Sequence, residues 1–445
     1  MTTPKSELKS AACRAIDAHA DELEHLARAI FATPELGFKE HRTAAVVQEW
    51  FDRLGLPHQD GLAITGSKAS LETGSPGPTV AVLGELDSLL CWEHPDRDPR
   101  TGAVHACGHN TQIASMLAAG LALKEVAAQL AGRVALMTVP AEEYVELEDR
   151  LTMRDQGRLE FLGGKAEMVR AGAFDDVELA MMVHSTARPE DGDLAVGGTN
   201  NGMVAKFVRF VGRASHAGGA PEKGINALSA ARVALAGIDA LRETFVDDDH
   251  VRVHPIVTRG GDVVNAIPAD VRLEMFCRGG SIEAIEGAHR KVDRALKAGA
   301  LALGAEVEIT TLPGYLPLHH DPNLVHLFRA NAAEIVGPEN VKERGHGGGS
   351  TDMGDISHIL PSVHPYAGGA VGNSHGADYR IVDYQRAVIN PAKAMVMTVI
   401  DLLADNAREA RRVQSEFKPR MSKDEYLRYL RRLSTKQTWR AEELE

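Results

Sequence analysis

The sequence predicts an α/β fold in which a mixed sheet forms one domain and a second domain is inserted into it. In the N-terminal half of the 445-residue chain, apolar strand-like runs and a helix-like run succeed one another, and the strand-like runs end on acidic residues or histidine. The middle of the chain changes to the order β-α-β-β-α-β, which is typical of a ferredoxin-like sandwich. These two observations favour a two-domain protein with polar residues gathered at strand ends.

The first domain begins its sheet with a predicted buried strand at residues 78–87. Residues 111–130 carry apolar side chains at helical spacing and predict a helix with one buried face. Two further strand-like runs follow at 132–139 and 177–183. Ligand sites of open α/β sheets gather at the carboxyl ends of the strands, so we expect the polar residues that follow these runs to lie together. These residues are Asp87, Glu142, Glu143 and His184.

A loop at the predicted helix N-terminus carries Cys107 and His109, which look like metal ligands. The chain has four cysteines and no secretory pattern, so a functional thiolate is a better expectation than a disulfide framework. Thiolate and imidazole bind divalent ions such as zinc, and imidazole also binds manganese. The alternative is a buried structural cysteine beside a helix-capping histidine, and Cys107 taken alone leaves both interpretations open.

The adjacent carboxylates of Glu142 and Glu143 can serve different purposes, because neighbouring side chains at a strand end point in different directions. One carboxylate could bind a metal ion while the other transfers a proton. An ordinary solvated acidic pair is the alternative. A late histidine, His375, could complete the ligand set after the chain returns to the first domain.

The inserted domain is predicted from six consecutive elements in the middle of the chain. They are strands at 203–211, 251–259, 269–277 and 305–313 and helices at 223–242 and 282–303. Residues 201–315 therefore form the inserted domain, and residues 1–200 and 316–445 form the discontinuous first domain. Glycine- and proline-containing junctions at 197–202 and 313–317 are the expected hinges.

The composition favours a cytoplasmic protein that acts on small molecules. The net charge is −13, 44% of the residues are hydrophobic, and no apolar run is expected to reach membrane-spanning length. We therefore expect neither nucleic acid nor a membrane as a partner. Residues 405–445 are the exception to the acidic balance, because they cluster basic residues and predict a helical extension. This extension could pack against a subunit or bind an acidic partner.

A serine nucleophile is the strongest rival hypothesis, because Gly372-Asn-Ser374-His-Gly376 matches the Gly-x-Ser-x-Gly string. A nucleophile elbow needs a strand directly before the serine and a helix directly after it. The next helix-like run begins only around Tyr384, so Ser374 is not expected to be a nucleophile. A dinucleotide site is not expected either, because no Gly-x-Gly-x-x-Gly string follows the first strand.

Three segments resemble motifs of the M20 metallopeptidases and amidohydrolases, in the branch that holds aminoacylase-like and aminobenzoyl-glutamate hydrolases. They are residues 31–40, His105–His109 and Pro140–Glu143. The resemblance covers nearly the whole chain, and it implies that the inserted domain is the lid and dimerisation domain of a homodimer. It also implies two bound divalent ions, manganese or zinc. Their ligands would be Cys107, His109, Glu143, His184 and His375.

The same resemblance implies roles for residues around the two ions. Glu142 would be the general base, and Asp87 would orient a ligand. His216 in the inserted domain would stabilise the oxyanion, often across the subunit boundary in such enzymes. The family pattern also implies a set of residues that bind or line the substrate. They are Asn265, Arg278, Gly349, Ser350 and Thr351, with Asp352 beside them.

Two departures from the pattern of the branch accompany the resemblance. Asn110 stands where the branch often has aspartate, and Gly84-Glu-Leu-Asp87 replaces Ala-Asp-Met-Asp. Neither change removes an implied ligand, so the expected metal centre stays complete.

By resemblance, the chain is expected to hydrolyse a C–N bond of a small N-acyl amino acid or aryl amide with metal-activated water. The alternative is an aromatic aminohydrolase that removes the amino group of an aminonitrobenzoate such as 5-nitroanthranilate, as one relative does. A third hypothesis, of a different class, is a non-catalytic metal-binding assembly protein. Retention of Glu142 together with every implied ligand argues against it.

Overall fold

The chain folds into two compact units, described in a computed structural model for residues 3–440. The first unit consists of the residues up to Thr199, His319–Gly345 and Asp355–Ser422. The second unit consists of Asn200–Leu318, His346–Gly354 and the residues from Lys423 onward.

The first unit is built on a six-stranded mixed sheet flanked by helices. Its elements as far as residue 181 are α1 (Lys5–Ala18), α2 (Ala20–Phe31), α3 (His41–Leu54), β1 (His58–Leu62), β2 (Gly66–Glu72), β3 (Ser75–Glu85), α4 (His109–Val126), β4 (Ala131–Val139), α5 (Leu147–Asp155), α6 (Gly164–Arg170) and β5 (Leu179–Met181). The strand order is β1-β2-β4-β3-β5, and a sixth strand from later in the chain follows β5. β3 runs parallel to β4 and β5, whereas β1 and β2 pair in antiparallel fashion. The predicted mixed α/β fold is therefore confirmed.

Helix α4 is buried on all sides, so the prediction of a single buried face is wrong. Only Lys124 and Glu125 of this helix are exposed. Helices α1 and α2 and strand β3 all pack against α4, and its many small residues allow this close approach. A Cβ atom at Gly120 would lie 2.3 Å from the Leu136 side chain of the neighbouring sheet. An apolar helix between a sheet and other helices has no face left for solvent.

The second unit follows the order β-α-β-β-α-β. Its elements are β6 (Gly202–Val211), α7 (Ala227–Ala240), β7 (Arg252–Arg259), β8 (Asp270–Gly279), α8 (Ile282–Leu303) and β9 (Glu306–Pro313). The strands pair in the order β7-β8-β6-β9, and every pair is antiparallel. Helices α7 and α8 pack against each other and against this sheet.

The chain then returns to the first unit and completes its sheet. The elements of this return are α9 (Pro322–Val336), α10 (Met353–Ile359), β10 (Ser362–Val363) and α11 (Asn390–Glu416). β10 pairs in parallel with β5 at the end of the sheet. The backbone of α11 leaves helical geometry at residues 404–407, so this element is two helical segments joined by a break.

The C-terminal segment differs from the predicted helical extension of residues 405–445. It contains a helix, α12 (Lys423–Leu433), but then forms a strand, β11 (Thr435–Arg440), that pairs with β9 of the second unit. Thr435 and Thr438 favour extended backbone because they are β-branched, and the strand gains hydrogen-bonding partners at the open edge of β9. Residues 441–445, which belong to the same prediction, lie outside the described residues.

The unit boundaries also differ from the predicted ones at residues 346–354, which the sequence places in the first domain. These residues join the second unit, where the Asn201 backbone N–H donates to the carbonyl of Gly347 at 3.1 Å. The Asn201 side-chain oxygen also lies 3.1 Å from Nε2 of His346. The backbone and side chain of Asn201, at the first junction, thus hold His346 and Gly347 in the second unit.

One helical stretch, Gln385–Glu416, is long and apolar enough to cross a membrane. The expectation that no apolar run reaches that length is therefore wrong. However, 89% of an apolar 18-residue stretch within it is buried inside the structure. This is the burial expected of a core helix that packs against α1, α4 and α9.

Helices α7 and α8 are in close contact at Gly299. A Cβ atom there would lie 2.5 Å from the carbonyl oxygen of Ala230 and 2.7 Å from Cβ of Ala234. Gly287, in the same helix, has no atom within 4 Å of the position a Cβ would take. Substitution of Gly299 therefore tests packing between the two helices, whereas substitution of Gly287 tests helix propensity alone.

Gly299→Ala should lower the free energy of unfolding by about 1–3 kcal/mol, because the added methyl group overpacks the α7–α8 interface. Gly287→Ala should raise it by about 0.5–1 kcal/mol, because alanine restricts the unfolded chain and meets no obstacle. Urea unfolding of both variants measures these changes. Equal effects of the two substitutions would contradict the close approach at Gly299.

Candidate metal centre

The candidate site lies where the carboxyl ends of strands β3 and β4 meet the first turn of helix α4. β3 ends at Glu85 and β4 ends at Val139, and these two residues are paired in register. Carboxyl ends of parallel strands share one edge of a sheet, so the residues that follow them are brought together. Asp87 follows the first strand, and the Glu142–Glu143 pair follows the second.

Two groups of metal-ligating side chains share the sulfur of Cys107. In one group, Cys107 lies with His109 and His184, and in the other it lies with Glu143 and His375. Within each group, one ligand atom per residue lies within 4.8 Å of the others. All five residues implied as ligands by the resemblance are thus brought together in the first unit, with the thiolate between the two groups.

The chemistry of these donors fits divalent cations. Nε2 of His109 and Oε1 of Glu143 are buried, and although charged groups lie 3.1 and 3.3 Å from them, neither makes an aligned hydrogen bond among the described residues. Buried polar atoms of this kind need a partner, and a cation supplies one. Thiolate sulfur, imidazole nitrogen and carboxylate oxygen together suit borderline metals such as zinc, and the nitrogen and oxygen donors also suit manganese.

Asp87 connects the two strand ends to helix α4. Its carbonyl oxygen and its Oδ1 both accept from Nδ1 of His109, at 2.9 and 3.2 Å. Its Oδ2 accepts the backbone N–H of Glu143 at 2.8 Å. Because Nδ1 of His109 carries the donated proton, Nε2 is left free to bind a cation. One fully buried carboxylate therefore orients a histidine and a glutamate of the donor set.

His184 is oriented in the same way from the opposite side of Cys107. Its Nδ1 donates to the carbonyl of Ser185 at 2.7 Å, and its Nε2 lies 3.4 Å from the sulfur of Cys107. The Ser185 hydroxyl donates to the carbonyl of Cys107 at 2.9 Å. Both imidazoles thus use Nδ1 to hold the ring and leave Nε2 at the centre of the site.

Gly108 is required by a close approach inside the metal loop. Its φ angle is +85°, and a Cβ atom would lie 2.1 Å from Oγ of Ser185 and 2.6 Å from the hydroxyl of Tyr379. Those two side chains are themselves hydrogen-bonded at 2.7 Å. Only glycine combines the left-handed backbone with this contact, so Cys107 and His109 keep their positions.

The electrostatics of the site favour ionised donors. Burial and the Glu143 carboxylate raise the pKa of the Cys107 thiol, but the surrounding imidazoles, His184 first, lower it to about 6. Burial also raises the pKa of Glu143, yet His375 and His109 hold it at about 2. A thiolate and a carboxylate are the forms that bind metal.

His375 reaches the site from a turn of the late loop 372–379. It has a φ angle of +65°, its side chain is 54% exposed, and its Nε2 lies 3.3 Å from Oε1 of Glu143. Its backbone N–H donates to the carbonyl of Ala106 at 2.9 Å, which ties the late loop to the metal loop. Ser374 beside it is followed by turns and a two-residue strand, Arg380–Ile381, so the context of a nucleophile elbow is lacking there.

The glutamate pair is held by two buried charged side chains that the sequence analysis did not single out. Ala141, directly before the pair, has a φ angle of +52°, and its N–H donates to Oε1 of Glu40 at 2.8 Å. The guanidinium of Arg150 donates to the carbonyl of Glu143 at 2.6 Å. Both holding side chains are buried, and burial together with the charge of Asp87 raises the pKa of Glu40 to about 7.

Glu85 is a further carboxylate at the site and was not predicted. Its ligand atom lies within 4.8 Å of those of His109 and Glu142, and its Oε2 is 3.1 Å from Nε2 of His109. Lys165 forms a fully buried ion pair with it. Burial alone would raise the pKa of Glu85, but Lys165 and His109 hold it below its usual range.

The sequence indicates some of these additional residues and not others. Glu85 and Asp87 are two positions apart at a strand end, so alternation places both on one side, and this could have identified Glu85. Glu40 lies inside a motif that the resemblance covers. Arg150 and Lys165 follow the glutamate pair without any motif, and only the folded chain brings them to the site.

The predicted substrate residues lie in the second unit and form two separate groups. His216 and Asn265 are exposed neighbours, because the N–H of Ala217 donates to the carbonyl of Asn265 at 2.9 Å. Arg278 donates to the hydroxyl of Ser350 at 2.6 Å. Beside this contact, Gly349 is exposed whereas Thr351 and Asp352 are buried.

Comparison with known proteins gives a family match over most of the chain. The family described as peptidase family M20/M25/M40 matches residues 82–402. The Xaa-Arg dipeptidase of Mus musculus is 29% identical over 448 residues, which cover 94% of this chain and 94% of the relative. A p-aminobenzoyl-glutamate hydrolase polypeptide of Escherichia coli (strain K12) is 28% identical over 379 residues, which cover 74% of this chain and 83% of the relative.

A solved structure agrees in fold. The dinuclear metal-binding M20 peptidase of Bacillus subtilis superposes with a TM-score of 0.62 at 19% identity. The match covers 87% of this chain and 99% of the other. At this identity the likeness establishes the fold.

Asp87→Asn should weaken divalent-cation binding by about 10- to 100-fold, because the asparagine side chain has one accepting oxygen and no negative charge. It cannot accept with its side chain from both His109 and the N–H of Glu143. Competition between the protein and a chromophoric chelator measures the affinity. Asp155→Asn, on the exposed end of helix α5, is the matched control and should bind as the wild type does. Unchanged affinity of the Asp87 variant would contradict its orienting role.

Proposed function

The chain belongs to the peptidase family M20/M25/M40 and is an amidohydrolase, and from this premise we propose that it cleaves the amide bond of a small N-acylated amino acid at a two-metal centre. The observation that carries the proposal is the sharing of Cys107 between two donor groups, with Glu142 beside them. Oε2 of Glu142 lies 3.9 Å from Nε2 of His109, so a carboxylate that is in neither of these two groups lies beside the donor set.

The names of the relatives support this class of substrate. A dipeptidase acting on Xaa-Arg and a hydrolase acting on p-aminobenzoyl-glutamate both break an amide bond next to an amino acid. We propose that Arg278, with the hydroxyl of Ser350 beside it, binds the carboxylate of that amino acid, since guanidinium groups pair well with carboxylates. Asn265 would hold a further polar group of the substrate.

In the proposed mechanism, Glu142 is the general base. Bound divalent ions supply Lewis acidity, which lowers the pKa of water to near neutrality. Glu142 accepts a proton from the attacking water at its carboxylate and later delivers it to the leaving nitrogen. His216 donates to the oxyanion of the tetrahedral intermediate. Asp87 keeps His109 and Glu143 in place throughout.

The proposed cofactor is a pair of manganese or zinc ions. Cys107 favours zinc, because thiolate is a soft ligand, whereas the carboxylates and imidazoles accept either ion. Cys107, His109 and His184 would hold one ion, and Cys107, Glu143 and His375 the other.

Glu142→Ala should lower turnover by at least about a hundredfold while metal content and folding stay close to those of the wild type, because a general base is lost while all five implied ligands remain. Turnover, bound metal by mass spectrometry and thermal unfolding check these three statements. Glu148→Ala, at an exposed position of helix α5, serves as the control and should keep full activity. Undiminished turnover in the Glu142 variant would refute the assigned mechanism.

The substrate class is tested by product analysis. Manganese-loaded and zinc-loaded protein is incubated with N-acyl amino acids, aminobenzoyl-glutamate, dipeptides and aminonitrobenzoates, and the products are identified by mass spectrometry. Free amine with a carboxylic acid is the expected result. Ammonia with a hydroxylated ring would instead establish the aromatic aminohydrolase, and an inert metal-loaded protein would favour a non-catalytic role.

We also propose that the second unit is a ferredoxin-like lid and dimerisation domain. The antiparallel order β7-β8-β6-β9 supports the ferredoxin-like assignment. β11 covers one edge of this sheet, and the other edge is formed by β7, where Ile256 is 51% exposed and Val257 48%. An edge strand that exposes apolar side chains offers backbone hydrogen-bonding groups for pairing with another chain, here a second copy.

Ile256→Lys with Val257→Lys should convert the proposed homodimer to a monomer, because lysines on an edge strand oppose pairing. Light scattering gives the mass in solution, and Val233→Lys, an exposed position on helix α7, is the control that should leave the mass unchanged. If His216 acts across subunits, the monomer also loses turnover with its metal retained. A monomeric wild type would refute the proposal.

A further inference from the structure

A fully buried ion pair lies next to His109 of the candidate metal centre. Nζ of Lys165 donates to Oε1 of Glu85 at 2.7 Å, and both side chains have 0% exposure. Two isolated charges in such a place would be strongly unfavourable, and a buried pair is itself seldom better for stability than apolar residues of the same volume. The pair therefore calls for a reason other than stability.

The second oxygen of Glu85 points at the metal centre. Oε2 accepts from Nε2 of Gln112 at 2.9 Å, and the Glu85 N–H donates back to the Gln112 side-chain oxygen at 3.1 Å. The same Oε2 is 3.1 Å from Nε2 of His109, the atom that Asp87 leaves free for a cation. Oε1 of Glu85 thus pairs with Lys165, and Oε2 faces Nε2 of His109.

The position of Lys165 depends on a close backbone contact. Helix α6 begins at Gly164, where a Cβ atom would lie 1.6 Å from the carbonyl oxygen of Pro140. Any other residue would push the helix away from the end of β4. Because Lys165 is the next residue, this contact delivers its ammonium group to Glu85 beneath the Glu142–Glu143 pair.

We propose that Glu85 is an additional oxygen donor for the cation that binds Nε2 of His109, and that Lys165 is the positioning residue that holds Glu85 and moderates its charge. The inference rests on the proposed two-metal function. The site then carries one more carboxylate than the five implied ligands supply, together with one buried positive charge that limits its hold on the cation. Lys165 acts through Glu85 and touches no substrate.

The proposal predicts opposite signs for two substitutions. Glu85→Gln keeps the shape but removes the donor charge and leaves the Lys165 ammonium unopposed, so the affinity for one of two zinc ions should fall by about 10- to 100-fold. Lys165→Met leaves the Glu85 charge unopposed, so the affinity at the same position should rise. A merely structural ion pair predicts weaker binding in both variants.

Zinc affinity and stoichiometry are measured by chelator competition and by mass spectrometry after dialysis, without any activity assay. Cobalt substitution gives a second readout, because the absorption bands of cobalt report its coordination and should change in Glu85→Gln. Lys206→Met is the matched control, since Lys206 forms a buried ion pair with Asp293 at 2.7 Å in the second unit. It should lower thermal stability and leave zinc affinity unchanged.

The outcomes separate this inference from the proposed function. A wild type that binds no divalent ion would refute the two-metal centre itself. A wild type with two zinc ions, and a Glu85→Gln variant with the same affinities and the same cobalt spectrum, would overturn only the role of Glu85. If Lys165→Met does not fold, Lys165→Arg replaces it and should keep wild-type affinity, and the Glu85 variant then decides.

Discussion

The buried carboxylate of Asp87 is the constraint on which the rest of the site depends. A charge without solvent must be satisfied by donors, and Asp87 finds them in the imidazole of His109 and the backbone of Glu143. Satisfying one side chain therefore fixes the start of helix α4 against the ends of β3 and β4. The loops on either side turn through left-handed backbone at Gly108 and Ala141, and they present both groups to the same carboxylate.

The first unit concentrates ionisable groups where its sheet would otherwise be apolar. Glu40, Glu85, Asp87 and Glu143 are all buried within the same region. Burial of so many carboxylates is costly unless cations or hydrogen bonds compensate it, and the buried side chains of Lys165 and Arg150 supply only two positive charges. Divalent ions at the shared sulfur of Cys107 would balance much of the remainder, so folding stability and metal binding are coupled in this site. The same physical need explains why donors and their supporting side chains occur together.

Much of this architecture could be predicted from the sequence, because it is encoded locally. Apolar runs located β3 and β4, and helical spacing located α4. The positions after the strand ends indicated Asp87 and the glutamate pair. What escaped prediction depends on contacts between distant segments. Lys165 reaches Glu85 only because a glycine lets helix α6 touch the end of β4, and no spacing in the sequence records that contact. Helix α4 was likewise misjudged, since its burial depends on which helices pack around it.

Strand β11 has a consequence for how the protein is made. The edge of β9 is complete by Pro313, but its partner begins only at Thr435, after the whole return through the first unit. A nascent chain therefore exposes an unpaired strand edge for the time needed to synthesise everything between them. Such edges recruit other strands, so this interval is when neighbouring nascent chains are most able to associate wrongly. Because segments of the two units alternate along the chain, neither unit can finish folding before most of the other has been synthesised.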